Sequence, residues 1–321
     1  MNYKQRQLNS QIEFLATSDT FGDVARSGGG SFRGRAYDFV LSEEYEAENL
    51  FPAIRDSIRE YFERHHIVWH KANAHLLSSQ VCCVNFLEPF SRSPDSLKSV
   101  LRKVVGPIVE MLQIEPESDP GRYIAFEFIG AEDYLNEGRA GRRTRGANCT
   151  SVDAAVRYRT PAGSVEIALI EWKCTEAYGA PLRMDPRKEE RLRRYKDIAF
   201  YPNGPLRPDC GVDLATLFTE PFYQLLRQQM LAFQIAKKRE LQAQQVRTVY
   251  ISPRGNIALK QIRIGALKQC GLDVSAAWST LLQSPDHFIP YATEQLFANS
   301  LGLGSEFGAW QNYMARRYCF G

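Results

Sequence analysis

VEIALIEWKC, residues 165–174, is the stretch from which the fold can be read. In a strand, Val165, Ile167, Leu169, Glu171 and Lys173 share one face, and Ala168, Ile170, Trp172 and Cys174 share the other. Both faces are apolar over most of the run, which predicts a strand covered on both sides, at the centre of a sheet. Strand interiors disfavour Glu and Lys, and burial makes charge costly. The Glu171 and Lys173 pair therefore reads either as a salt bridge at a strand end or as a site facing a cleft beside the sheet.

The preceding run VDAAVRYR, 152–159, is a second strand, joined to the first by the turn Pro161-Ala162-Gly163-Ser164. Pairing inward from that turn sets position 153 roughly opposite 172. Asp153, otherwise a turn or capping residue, then converges with Glu171 and Lys173. YIAFEFI, 123–129, completes a three-strand meander. Two carboxylates that repel each other are relieved by a hard divalent cation such as Mg²⁺. A lysine beside them can orient or deprotonate a bound water and offset charge in a phosphoryl transition state. The constellation is that of phosphodiester hydrolysis.

With Asp153 on one strand and Glu171-Trp172-Lys173 on the next, the chain resembles the PD-(D/E)xK, or restriction-endonuclease-like, nuclease superfamily over about residues 98–252. Val152 stands where the family pattern has a proline. LLSSQVCCVNF (76–86) and RGANCTSVDAAVRY (145–158) are also similar to stretches of bacterial proteins assigned to that superfamily. The resemblance implies an α/β fold with a restriction-endonuclease-like core, an α-β-β-β-α-β mixed sheet flanked by helices. It implies Asp153 and Glu171 as metal ligands, the Trp172 backbone carbonyl as a further ligand, and Lys173 as the residue that positions the attacking water. It also implies an acid from the first helix, for which Glu110 is the candidate and Glu127 the competitor. Mg²⁺ is the expected cofactor, with Mn²⁺ substituting, and DNA the expected substrate. The same chemistry permits RNA, and the same fold permits a catalytically silent nucleic-acid-binding or scaffold protein.

The rest of the chain is placed around that core. Residues 1–97 read as a largely helical region decorating a nuclease-like domain at 98–321, which ends in a helical tail from about Ser275. GDVARSGGGSFRGRAY, 22–37, reads as a loop. Amphipathic spacing predicts a helix over Ser42–Phe62, and the apolar run from about His65 to Phe90 predicts a mostly buried helix. Pro94–Gln113 reads as a helix kinked at Pro107, Asp213–Gln244 as helical with a break at Pro221, and Val246–Ile251 as a buried strand.

Basic clusters suggest where a polyanion would lie. The loop GRAGRRTRG, 138–146, carries Arg139, Arg142, Arg143 and Arg145 without one acid, which suits phosphate contacts. RKEERLRRYK, 187–196, mixes in Glu189 and Glu190 and reads as an exposed helix with internal ion pairs. Gln224, Arg227 and Gln228 recur at helical spacing, and Gln228 is taken as a nucleic-acid contact. His65, His66, His70 and His75 with Cys82 and Cys83 lack a second ligand pair at finger spacing and read as ordinary side chains. Ser78-Ser79-Gln80 reads as a buried polar packing element rather than a nucleophile.

Composition sets the outer limits. With 321 residues and 44% hydrophobic content, the chain can build a sizeable core. Net charge is only +3, so an anionic partner must be met by local clusters. The seven cysteines are scattered with no C-x-x-C pair, as in reduced cytosolic proteins. No signal-like or membrane-length apolar segment stands out. The expectation is a cytoplasmic protein off the membrane, and a homodimer is compatible with it.

Overall fold

A computed structural model of the chain describes residues 1–27, 29–138, 141–178, 187–202 and 204–319. At its centre is a mixed sheet of six strands: β1 Glu110–Leu112, β2 Ile124–Phe128, β3 Val152–Arg159, β4 Val165–Trp172, β5 Gln245–Ser252 and β6 Phe288–Ala292. β3 pairs antiparallel with β4, with Arg159 opposite Val165 and Ala154 opposite Ile170. Thr160 N–H to Ser164 O, 2.9 Å, closes the turn between them. β1 and β2 share the other edge of β3, so the meander is as the sequence predicts, with a short extra strand beside it.

β4 is buried at all eight positions, as its two apolar faces require. β5 lies parallel to β4 on its far side. Parallel neighbours need a long crossover, and α6, Phe222–Lys238, supplies it. That helix starts after Pro221 and ends where Arg239 takes a left-handed φ of 52°, with Lys237 and Lys238 in the last turn against the negative end of the helix dipole.

Two layers cover the sheet. On one side α3, Ser79–Leu87, α4, Pro94–Val105, and α9, Gly308–Tyr318, pack on Ala154, Val156, Ile170 and Trp172; the Trp172 ring sits 5.1 Å from Phe86. α1, Tyr3–Thr17, and α2, Arg55–Arg64, join that same core through Phe14, Leu15, Ile58 and Phe62. On the other side α6 packs with α5, Lys188–Ala199, and α7, Val274–Leu281, on Ala155, Ile167 and Leu169. α8, Thr293–Ser300, lies against α4.

Several elements differ from the sequence expectation. The helix predicted over Ser42–Phe62 is broken at Pro52, leaving 3-10 turns at Glu43–Asn49 and Pro52–Ile54 before α2. Of the apolar run from His65 only α3, capped by the Ser78 hydroxyl on Val81 N–H, and the 3-10 turn Glu88–Phe90 after it are helical; the residues before it are tied by tertiary contacts such as Val68 N–H to Arg145 O, 3.0 Å. α4 ends before Gly106, at φ 92°, and β1 follows where the sequence predicts a kinked helix. The Gly/Ser/Arg loop contains a small hairpin, Gly30–Phe32 with Arg35–Tyr37, and a short helix, Asp23–Ser27. The tail contributes β6, whose Pro290 is tolerated because the strand is at the sheet edge. No helix among the described residues is long and apolar enough to cross a membrane.

Candidate active site

The strand register brings the acids together. Phe126 faces Ala154 and Phe128 faces Val152, so 127 stands opposite 153; Ala154 faces Ile170, so the next step sets 153 opposite 171. The offset is one residue from the pairing expected from the turn, and it is the more favourable one. Directly opposed residues share a face of the sheet, whereas a one-residue slip separates them. Glu127, Asp153 and Glu171 thus occupy one row of backbone positions across three strands, with the ladder skipping Glu127 itself, where β2 leaves regular strand geometry, and Tyr250 on β5 continues the row opposite Glu171.

Glu171 and Lys173 are both buried, at 4% and 5% exposure. Lys173 Nζ donates to Glu171 Oε1 at 2.5 Å and to Gln224 Oε1 at 2.7 Å. Gln224 Nε2 also donates to Glu171 Oε1, at 2.6 Å, and Gln228 Nε2 to Glu171 Oε2. One turn of α6 therefore grips the Glu171 carboxylate through the i, i+4 spacing of its glutamines. Asp153, half-buried, accepts from the Trp172 backbone N–H at 2.6 Å through Oδ2. An amide of the neighbouring strand, rather than a turn, is what this side chain holds.

Glu127 is the third member of the row. It is buried in β2, accepting from Gln80 Nε2 and from Ser151 Oγ, each at 2.6 Å, with His70 Nε2 at 3.4 Å. Its φ of 47° is left-handed, a conformation that costs a non-glycine residue about 1–3 kcal/mol and that collects at functional sites. Gly146, at φ 77°, lets the neighbouring loop close in: a Cβ there would lie 2.4 Å from Val68 O.

The electrostatics are those of excess negative charge. Burial, then Glu171 and Glu127, push the Asp153 carboxyl well above its ordinary pKa, against Lys173 and the Trp172 N–H. Burial also raises Glu127, with Glu171 adding, although His70, Ser151 and Gln80 oppose it. Burial works against the charge of Lys173, yet Glu171, Tyr178 and Glu176 hold its pKa well above the usual value. Its ammonium, held between Glu171 and Gln224, is placed to orient a group and to compensate charge. The Tyr250 hydroxyl is buried without a hydrogen-bond partner among the described residues.

Other sequence candidates lie elsewhere. Glu110 is on strand β1 rather than on the first helix; it is exposed and paired with Arg159 Nε at 2.7 Å, at the end of β3 remote from Asp153. Gln228 is buried on Glu171 and is not a surface contact for nucleic acid. Arg143 donates to the carbonyls of Ile129, Gly130 and Ala131, and Arg145 to Phe126 O, Glu127 O and Glu115 Oε1, so both guanidinium groups hold the loop on the sheet. Arg142 is exposed, and Arg139 falls outside the described residues. The histidines diverge: His65 approaches Glu115, His70 approaches Glu127, and His75 Nδ1 accepts from Leu77 N–H. Ser151 and Tyr250, which sequence reasoning misses, carry no local signal. Glu127, named from the sequence as the competitor of Glu110, does, as a lone acid in an apolar strand, the same mark that singles out Glu171.

Comparison with known proteins settles the family. A family model described as restriction endonuclease associating with ARP matches residues 16–319. The chain belongs to that family. Membership makes it a restriction-endonuclease-like protein of a nuclease family, and the six-stranded mixed sheet flanked by helices agrees with that fold. No curated protein and no solved structure matches the chain.

Proposed function

We propose that this chain hydrolyses phosphodiester bonds of DNA with Mg²⁺, or Mn²⁺ in its place, at the Asp153–Glu171–Lys173 site. The observation that carries the reading is the row of three acids with a single ammonium beside it, because carboxylates that repel one another across neighbouring strands are relieved when a cation joins them.

The residues present fit such an ion. All donors are oxygens, as a hard divalent cation requires, and the raised Asp153 carboxyl marks a place where positive charge is wanted. Among the described residues no group of three His, Cys, Asp or Glu side chains forms a ready cage. Mg²⁺ accepts one or two carboxylates and completes its shell with waters and substrate phosphate. Asp153 and Glu171, with the Trp172 carbonyl, are the proposed ligands, and Glu127 takes the place expected of Glu110 by adding its charge from β2. When bound there, a divalent ion supplies charge stabilisation at the phosphoryl oxygens and a more acidic water. Lys173 holds the water in line and offsets charge building on the phosphoryl group. Gln224 and Gln228 fix Glu171, and the Trp172 N–H fixes Asp153. We place the activity in the cytoplasm, and the description of the family leads us to expect action alongside an ARP partner.

The test is nicking of supercoiled plasmid in Mg²⁺ or Mn²⁺ by wild type, Asp153→Asn and Lys173→Met. Each variant is expected to lose on the order of 10²–10³ in rate or more. Wild-type rates from Asp153→Asn would move the chemistry to another site.

A further inference from the structure

Beside the acid row lies a cavity of about 680 Å³ between α5, α6 and the segment leading into β3. Arg187, Arg191, Arg194 and Arg227 line it and, among the described residues, Glu137 and Glu190 are the acids in its wall. Three of these arginines come from the stretch that reads by sequence as a solvated helix. The Glu190–Arg194 pair expected of such a helix does form, at 2.6 Å, yet the same arginines face the cavity.

Arg227 is the decisive member. It makes no ion pair among the described residues; its contacts are Thr150 Oγ1, at 3.3 Å, and the Tyr223 ring, 4.7 Å from the guanidinium carbon. Its Nε is buried and has no acceptor among those residues. Buried charges are ordinarily paired, so a guanidinium left with an idle donor beside a cavity is arranged for an anion that arrives later. Arg191 lies 4.5 Å from the centre of the same Tyr223 ring, so one aromatic side chain holds both cations. The nearest acid, Glu137, is committed to Thr150 N–H, Thr150 Oγ1 and Tyr195 OH. Burial opposes the charge of Arg227, but Glu137, Tyr223, Tyr195 and Glu220 hold its pKa above the ordinary value.

Position ties this cavity to the reaction. Thr150 is three residues before Asp153, so the two lie within about 10 Å of each other. Arg227 sits on α6 between Gln224 and Gln228, the residues that grip Glu171. We propose that this arginine cavity binds a phosphate of the nucleic-acid strand next to the scissile bond, with Arg227 as its central donor. The inference rests on the nuclease reading and adds to it the substrate contact that sets register. An internal phosphodiester and a terminal phosphomonoester both offer anionic non-bridging oxygens, two in the first and three in the second, and guanidinium forks take either.

The test is equilibrium binding of a short fluorescent duplex to the full chain in EDTA, where hydrolysis is not required, over a range of salt. Replacing Arg227 with Gln is expected to make the slope of log K against log salt shallower by about 0.9 for each phosphate that the variant no longer neutralises. Arg227→Lys keeps the charge and is expected to restore the slope with only part of the affinity. If the difference between wild type and Arg227→Gln disappears on a duplex lacking 5′-phosphates, the occupant is terminal; if it persists, the occupant is internal. An unchanged slope on both duplexes overturns the proposal. Should Arg227→Gln lose its folded melting transition, Arg191→Gln is read in the same way. A protein that binds with an Arg227-dependent slope but never cuts sinks the hydrolysis reading alone. One that cuts yet ignores Arg227 sinks this inference alone.

Discussion

Two regions of this protein bury several charges, and they do so in opposite ways. Where α2, the end of α3 and the approach to β2 meet, Arg122 and Glu88 are each almost wholly buried and form an ion pair. Arg122 also donates to Ile124 O at 2.8 Å and stacks 3.7 Å over the Tyr61 ring. Asp119 nearby takes Arg92 at 2.7 Å and Arg64 at 3.1 Å, and Ser57 adds a hydrogen bond to Glu88. Each acid there has at least one guanidinium partner, and the cluster joins elements. In the row Glu127, Asp153, Glu171 the acids outnumber the one lysine, and amides and hydroxyls fill in as donors. Matched charge makes a scaffold, whereas excess charge of one sign makes a place for a ligand.

That contrast can be broken by experiment. The largest effect is expected from Asp153→Asn on plasmid nicking, a loss on the order of 10²–10³ or more, measured with purified protein in Mg²⁺. Next is Arg122→Ala, which leaves Glu88 buried and unpaired: unfolding in urea is expected to show a loss of about 3–5 kcal/mol, with the cleavage rate per folded molecule unchanged. A smaller effect of opposite sign sharpens the comparison. Without metal, Asp153→Asn removes one of the repelling acids and is expected to raise stability by about 1 kcal/mol, a gain that Mg²⁺ erases by stabilising only the wild type. Metal-free stability lower in Asp153→Asn than in wild type would mean the row is balanced like the Arg122 cluster. The smallest effect is expected from Glu110→Ala, an exposed pair with Arg159: less than about 1 kcal/mol in stability and no change in nicking.

The same contrast explains what can be read in advance. Glu171 and Asp153 stand out because each interrupts an apolar strand, and that interruption is visible in the residues themselves. Gln228 misleads because a polar residue at helical spacing looks alike whether it faces solvent or grips a buried carboxylate; only the packing of α6 on β4 separates the two. Arg143 and Arg145 look like phosphate ligands because the loop lacks acids, but their acceptors are backbone carbonyls of β2 and the loop after it, joined for Arg145 by the distant Glu115 carboxylate, and none of these partners is visible in the loop's own composition. The arginines of α5 mislead in the converse way: neighbouring glutamates suggest neutralisation, while the fold turns several of the cations toward a shared cavity.

By itself the sequence determined the three-strand meander, the buried central strand, the helical crossover to the next strand and the acids at the strand ends, because side-chain alternation, turn residues and the cost of buried charge all act over a few residues. Tertiary structure alone decided the one-residue register that sets 153 opposite 171, the separation of Glu110 from Asp153, and the gathering of Arg227 with the α5 arginines around one cavity. Those outcomes depend on packing between segments far apart in the chain, whose geometry is set by the whole core rather than by any local preference.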